Sequence, residues 1–176
     1  MESTTTRLSS MIDSPVQLRR VGRWTFPVEE LVSGEQALAE LGRDGSLRIF
    51  FGPGRRVRLA NGVEWRIKAA TMQRHIVPII KSPGGTVALS GPFPAKRTYG
   101  ISGKDFGLTL LPLGRAGLRR PRLWALRQHE TDVATIDDRT RLLRPEVPVP
   151  IAAVLMAFTL VRHGIPGETD LRPLAH

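Results

Sequence analysis

The side chains whose type and spacing bear on chemistry are mostly cations. The run RRVRLANGVEWRIK carries Arg56, Arg58, Arg66 and Lys68, and the run RAGLRRPR carries Arg115, Arg119, Arg120 and Arg122. Guanidinium and ammonium groups recognise phosphate oxygens, either singly or, for arginine, through a bidentate fork. The first set sits in a stretch that alternates apolar and charged residues, which would hold it at fixed spacing on one face. The second sits among glycine and proline, where it would act as a loop clamp. Gly52-Pro53-Gly54 beside Arg55 and Arg56 could cradle one phosphate, although such a sequence is commonly just a turn.

Catalytic constellations are absent by comparison. There is no Walker loop, no dinucleotide-binding glycine fingerprint and no nucleophile elbow. His75, His129, His163 and His176 have no metal-ligand spacing. His129, Glu130 and Asp132 offer a base and two acids, but neighbouring side chains on a strand face opposite ways. With no cysteine, thiol nucleophiles, thiolate metal sites and disulfides are excluded, a composition that suits a reducing cytoplasm. The expectation is a non-catalytic binding protein with no cofactor and no metal.

The 26 Lys and Arg against 16 Asp and Glu give a net charge of +10 and a pI near 11.4 over 176 residues. Such a balance attracts polyanions, a phospholipid headgroup or a nucleic-acid backbone. Few aromatics are available for stacking on bases. Trp65 and Trp124 fall on the apolar side of their strands and read as core, which argues against a single-strand binder.

Elements that could position the cations follow from the pattern of turns. From Ser46 onward the chain breaks into short β-rich runs: Ser46 to Phe51, Arg56 to Leu59, Val63 to Ala69, Ile76 to Lys81, Thr86 to Ser90, Thr98 to Ile101, Gly107 to Leu111, Leu123 to Gln128 and Asp132 to Ile136. Turn signals stand at Ala60-Asn61-Gly62, Pro83 to Gly85 and Gly103-Lys104. Pro78 implies an edge or a bulge in its strand. The hairpin at Asn61-Gly62 has two candidate registers. A two-residue loop mixes charged and apolar side chains on both faces. A three-residue loop pairs Leu59 with Val63, Val57 with Trp65, Arg58 with Glu64 and Arg56 with Arg66, with Gly62 left-handed; alternation favours this one. Earlier in the chain, Arg19 to Phe26 reads as extended. Ser33 and Gln36 have capping-box spacing, and Glu35 to Leu41 (EQALAEL) is rich in helix formers before Gly42, so a short helix is expected there.

Ile151 to Val161 is apolar at every position but Thr159. Eleven helical residues reach roughly 16 Å, about half a hydrocarbon core, so the segment cannot span a bilayer. A helix apolar on all sides must be buried on all sides, a stabilisation of about 15 kcal/mol if its larger residues are fully desolvated. A β-rich chain ending in such a helix most simply encloses it. The expected fold is therefore mainly β: a closed antiparallel barrel or strongly curved sheet around a hydrophobic helix at about 151–163, with a short N-terminal helix. Residues 1–45 are expected as an N-terminal tail and helical segment, 46–166 as the barrel, and 167–176 as a tail. Met1 to Ser10 is Ser/Thr-rich without an apolar core, so no cleaved secretory signal is expected.

The order VRLANGVEWRIKAA, RTYGISGKDFGLTLLPLG, LWALRQ, TDVATID and PIAAVLMAFTLVRHG resembles the tubby, phospholipid scramblase and LURP-one-related group, in which a twelve-stranded barrel wraps a C-terminal helix. Fewer than twelve strand candidates follow Gly45 here. The resemblance rests on order and texture and carries no ligand residue to a numbered position. It implies a binding domain, in some relatives for phosphoinositides. Asp137 and Asp138 do not reproduce the scramblases' calcium segment. The functional expectation is recognition of an anionic partner through Arg56, Arg58, Arg66 and Lys68 or Arg115, Arg119, Arg120 and Arg122, in the cytoplasm or peripherally at the inner face of the membrane. Two alternatives stay open: a nucleic-acid or ribosome-associated basic protein, and a subunit that meets a protein partner through residues 1–45.

Overall fold

The fold is given by a computed structural model that describes residues 11–22, 28–43, 55–72, 75–91, 98–114 and 121–163. Twelve antiparallel strands close into a barrel: β2 (Val16–Val21), β3 (Val28–Ser33), β4 (Gln36–Arg43), β5 (Arg55–Leu59), β6 (Glu64–Met72), β7 (His75–Ser82), β8 (Gly85–Gly91), β9 (Tyr99–Gly103), β10 (Gly107–Leu113), β11 (Leu123–Gln128), β12 (Thr131–Asp137) and β13 (Leu142–Pro145). Each strand pairs with its sequence neighbour, and β13 returns to β2 to close the ring. Two short strands, β1 (Met11–Ile12) and β14 (Val149–Pro150), pair beside the barrel just before helix α1 (Ile151–His163).

A twelve-stranded ring is wider than the eight-stranded barrels that side chains alone can fill, and α1 occupies the interior. From Ile151 to Val161 every residue is buried except Thr159, whose hydroxyl donates to the Leu155 carbonyl at 2.8 Å. The helix lies closest to β7, β8 and β9. Around it the inward side chains, among them Leu31, Val57, Ile80, Ile101, Leu110, Leu126, Ile136 and Leu143, form one continuous core with Leu155, Met156 and Leu160. Trp65 and Trp124 belong to that core, as their alternation indicates. No described helix is long and apolar enough to cross a membrane.

The hairpin register follows the three-residue reading. Val57 pairs with Trp65, Arg58 with Glu64 and Arg56 with Arg66. Gly62 has φ 81°, and the Leu59 amide donates to the Val63 carbonyl at 2.9 Å. The edge strand or bulge expected at Pro78 is a correction, because β7 is paired on both sides and its ladder to β6 runs regularly through Pro78. β7 lies within the closed ring, with its register shift between Ile80 and Lys81, while the β8 ladder begins only at Ile79, leaving Pro78 paired to Ala69 alone.

The short N-terminal helix is a correction. Glu35 to Leu41 lies in a hairpin, with Gly34 at φ 59° in the turn and Gln36–Arg43 as β4. Ser33 and Gln36 form the first cross-strand pair after that turn, where the sequence suggested a capping box. Gly42, which reads as a helix stop, pairs with Arg56. Helix formers adopt a strand here because β3 and β5 flank them; a helix would leave two ladders of buried backbone groups unpaired. Ala39 and Leu41 point inward and Glu40 outward, and a bulge opposite Leu31 and Val32 accommodates Leu38. The boundary at residue 45 is corrected with it, since Val16–Val21, Val28–Ser33 and Gln36–Arg43 are three strands of the wall. The extended run expected at Arg19 to Phe26 begins in β2. Its remainder, the strand expected at Ser46 to Phe51, and the tails 1–10 and 167–176 lie outside the described residues.

Candidate functional site

The up-and-down topology gives the barrel two ends. α1 begins at one, among the turns 34–35, 60–63, 83–84, 104–106 and 129–130, and finishes at the other, where β2, β4, β6, β8, β10 and β12 end.

Between the ends, the outer wall over β4 to β7 carries the first sequence-predicted set. Arg56, Arg58 and Arg66 are exposed and Lys68 is half-buried, while Val57, Leu59, Trp65 and Ile67 on the alternate positions enter the core. The registers sort these charges into rows running across the strands. One row reads Arg19, Glu30, Glu40, Arg58, Glu64 and mixes both signs. The adjacent row reads Gly42, Arg56, Arg66, Lys81 and is cationic across three strands. Neighbouring strands lie about 4.8 Å apart, so those three Cα positions span roughly 10 Å. Glu64 is the local counter-charge, reaching Arg56 at 3.1 Å and Arg58 at 3.4 Å. Lys81, which sequence reading left out, completes the row and makes no ion pair among the described residues.

The second predicted set is not brought to this surface. Of its four arginines only Arg122 lies within the described residues. It precedes β11, on the opposite side of the ring from β5, and holds Asp137 through Nη2 at 3.2 Å. That hydrogen bond, helped by the Thr140 and Arg139 amides and opposed by desolvation, holds the Asp137 carboxyl below its ordinary value. Arg115, Arg119, Arg120 and the Gly52-Pro53-Gly54 turn fall outside the described residues. His129 sits at φ 53° in the β11–β12 turn. No group of three metal-ligating side chains occurs among the described residues.

A third constellation was not legible in the sequence. At the end where α1 finishes, Glu29 is buried inside the barrel mouth, its side chain only 5% exposed, and accepts from three arginines. Arg55 Nη1 reaches its Oε2 at 2.5 Å, Arg141 Nη1 its Oε1 at 3.3 Å, and Arg162, in the last turn of α1, also donates to Oε1. Burial by itself would raise the Glu29 pKa, but the Arg55 and Arg162 charges and hydrogen bonds outweigh it and hold the carboxyl below its ordinary 4.5. Arg162 also sits at the negative end of the helix, where a cation is favoured. This cluster ties the C-terminal end of α1 to β3, β5 and the β12–β13 turn. We assign it the role of an internal anchor.

Comparison with known proteins gives no match to a family model, to a curated protein or to a solved structure.

Proposed function

We propose that this protein is a non-catalytic binding barrel of the tubby-like kind and that its outer β5–β7 wall takes a phosphate-bearing partner, foremost an anionic lipid headgroup. The observation that carries the reading is the in-register row Arg56, Arg66 and Lys81, beside Arg58 and Lys68. Among the described residues it sets five cations beside Glu40 and Glu64 on a rigid surface. Strand residues lose little conformational freedom when they bind, so fixed cations suit a compact polyanionic head. Twelve strands closed around one C-terminal helix support the family likeness. Peripheral contact at the cytoplasmic face of a membrane follows as the setting.

The test is co-sedimentation with vesicles of neutral lipid, with and without anionic lipid, over a salt series, alongside titration of a fluorescent RNA duplex. Binding to anionic vesicles that weakens steeply with salt is expected, because each phosphate contact releases counterions. The triple variant R56E/R66E/K81E abolishes it, while reversal of Arg122 leaves it in place. No vesicle binding at low salt overturns the reading. RNA binding in its place, lost in the same variant, transfers the surface to a nucleic-acid backbone.

A further inference from the structure

At the end where α1 begins, a cleft of about 540 Å³ opens between the barrel rim and the first turn of the helix. Its floor is apolar and buried: Trp65, Leu108, Val133, Val149, Ile151 and Ala152 are each no more than 9% exposed. Every polar side chain in its lining (Thr86, Lys104, Asp105 and Gln128) is exposed and stands at the lip. Two apolar side chains also stand open there, Met11 at 40% and Val147 at 47% exposure. Lys104 makes no ion pair among the described residues, and Lys81 is the direct cross-strand partner of Thr86 on the lip.

A concave site within the usual 300–1,000 Å³, apolar below and carrying Lys104 and Asp105 at a lip that Lys81 adjoins, selects a small amphiphile. A polar metabolite would find no charged, amide or hydroxyl side chain on the floor, only the Trp65 indole N–H, and a folded partner could not enter. We infer that this cleft binds the acyl chain of a single-chain amphiphile with an acidic head, the chain lying over Trp65 and Leu108 and the head meeting Lys104 and Lys81. The head is a carboxylate, as in a free fatty acid, or a phosphate, as in a lysophospholipid. The site shares Lys81 with the outer cationic row but not its apolar floor or Lys104, so chain binding in the cleft and headgroup binding on the row can each fail without the other.

Titration of the full-length protein with myristate, myristoyl lysophosphatidate and neutral monomyristin, each below its micelle concentration, reads the site through calorimetry and through the tryptophan fluorescence change that W65F removes. Saturable one-to-one binding of all three is expected, tighter for the acids. The acid preferred by the wild type identifies the head. V147E, at an exposed rim position that leaves the core intact, weakens all three by roughly tenfold or more. K104E weakens only the two acids, by a similar factor, and R56E/R66E leaves monomyristin unchanged. Absence of saturable binding to any chain overturns the inference, as does equal affinity in V147E and wild type. Vesicle binding without monomer binding overturns the cleft and leaves the outer row standing.

Discussion

Replacing Glu29 by glutamine keeps the shape of the side chain and removes the one charge on which Arg55, Arg141 and Arg162 converge. The carboxylate is 5% exposed, while the three arginines are 25%, 35% and 22% exposed. A hydrogen bond to a charged group contributes about 1.5–3 kcal/mol, so three would set an upper bound well above what is measurable in one substitution. Breaking a buried ion pair costs about 3–5 kcal/mol. The arginines recover part of that from water, which brings the expected loss to about 3 kcal/mol. In a domain of this size it lowers Tm by about 6–12 °C. Urea unfolding followed by tryptophan fluorescence and far-ultraviolet dichroism measures it. A loss under about 1 kcal/mol, the range of exposed pairs, refutes the anchor. The pH dependence gives a second check. Because the folded-state pKa of Glu29 lies below 4.5, its stabilisation is complete above that value and is lost as pH falls below it toward the folded pKa. Stability of the wild type therefore declines on the acid side, and E29Q declines less. Some acid dependence persists in the variant, because Asp137 is also held low by Arg122.

Leu155→Asp buries an unpaired charge among fully buried side chains at the middle of α1, and no soluble folded protein is expected on expression. Gly103→Ala would place a Cβ 2.2 Å from the Phe106 ring and 2.8 Å from the Val87 carbonyl oxygen, so a loss of about 1–3 kcal/mol is expected in urea unfolding. Gly62→Val forces a β-branched residue to φ 81° and should cost about 1–2 kcal/mol, with the hairpin's amide exchange rising more than that of α1.

Local periodicity was a reliable guide wherever one strand or one helix was enough to interpret it. The all-round apolar composition of Ile151 to Val161 can be satisfied only by complete burial. Alternation around Asn61-Gly62 admits one register, because a slip by one residue would turn Trp65 and Val57 outward. EQALAEL misleads for the converse reason. Its intrinsic preference is helical, but the open edges of β3 and β5 are non-local facts that outweigh a few tenths of a kcal/mol per residue. The Glu29 cluster has no local sign either. Glu29 and Arg162 are separated by 133 residues, and only closure of the ring brings Arg55 and Arg141 to them.

Lateral rows of charge are harder to read than single strands, because each depends on several registers at once and on the bulges between them. The register shift between Ile80 and Lys81 shows how much one extra residue decides. Without it, Ile80 opposite Ala88 would put Lys81 opposite Val87. With it, Lys81 faces Thr86, and Val87 is the extra residue, half-buried against the core and lining the cleft. One bulge thus extends the cationic row Arg56, Arg66, Lys81 to the lip of the cleft and adds an apolar side chain to its wall. The continuous apolar run IVPII within β7 gives no alternation from which that shift could be inferred. Bulges persist where they re-aim a side chain, and this one brings a cation and an apolar wall together at a single opening.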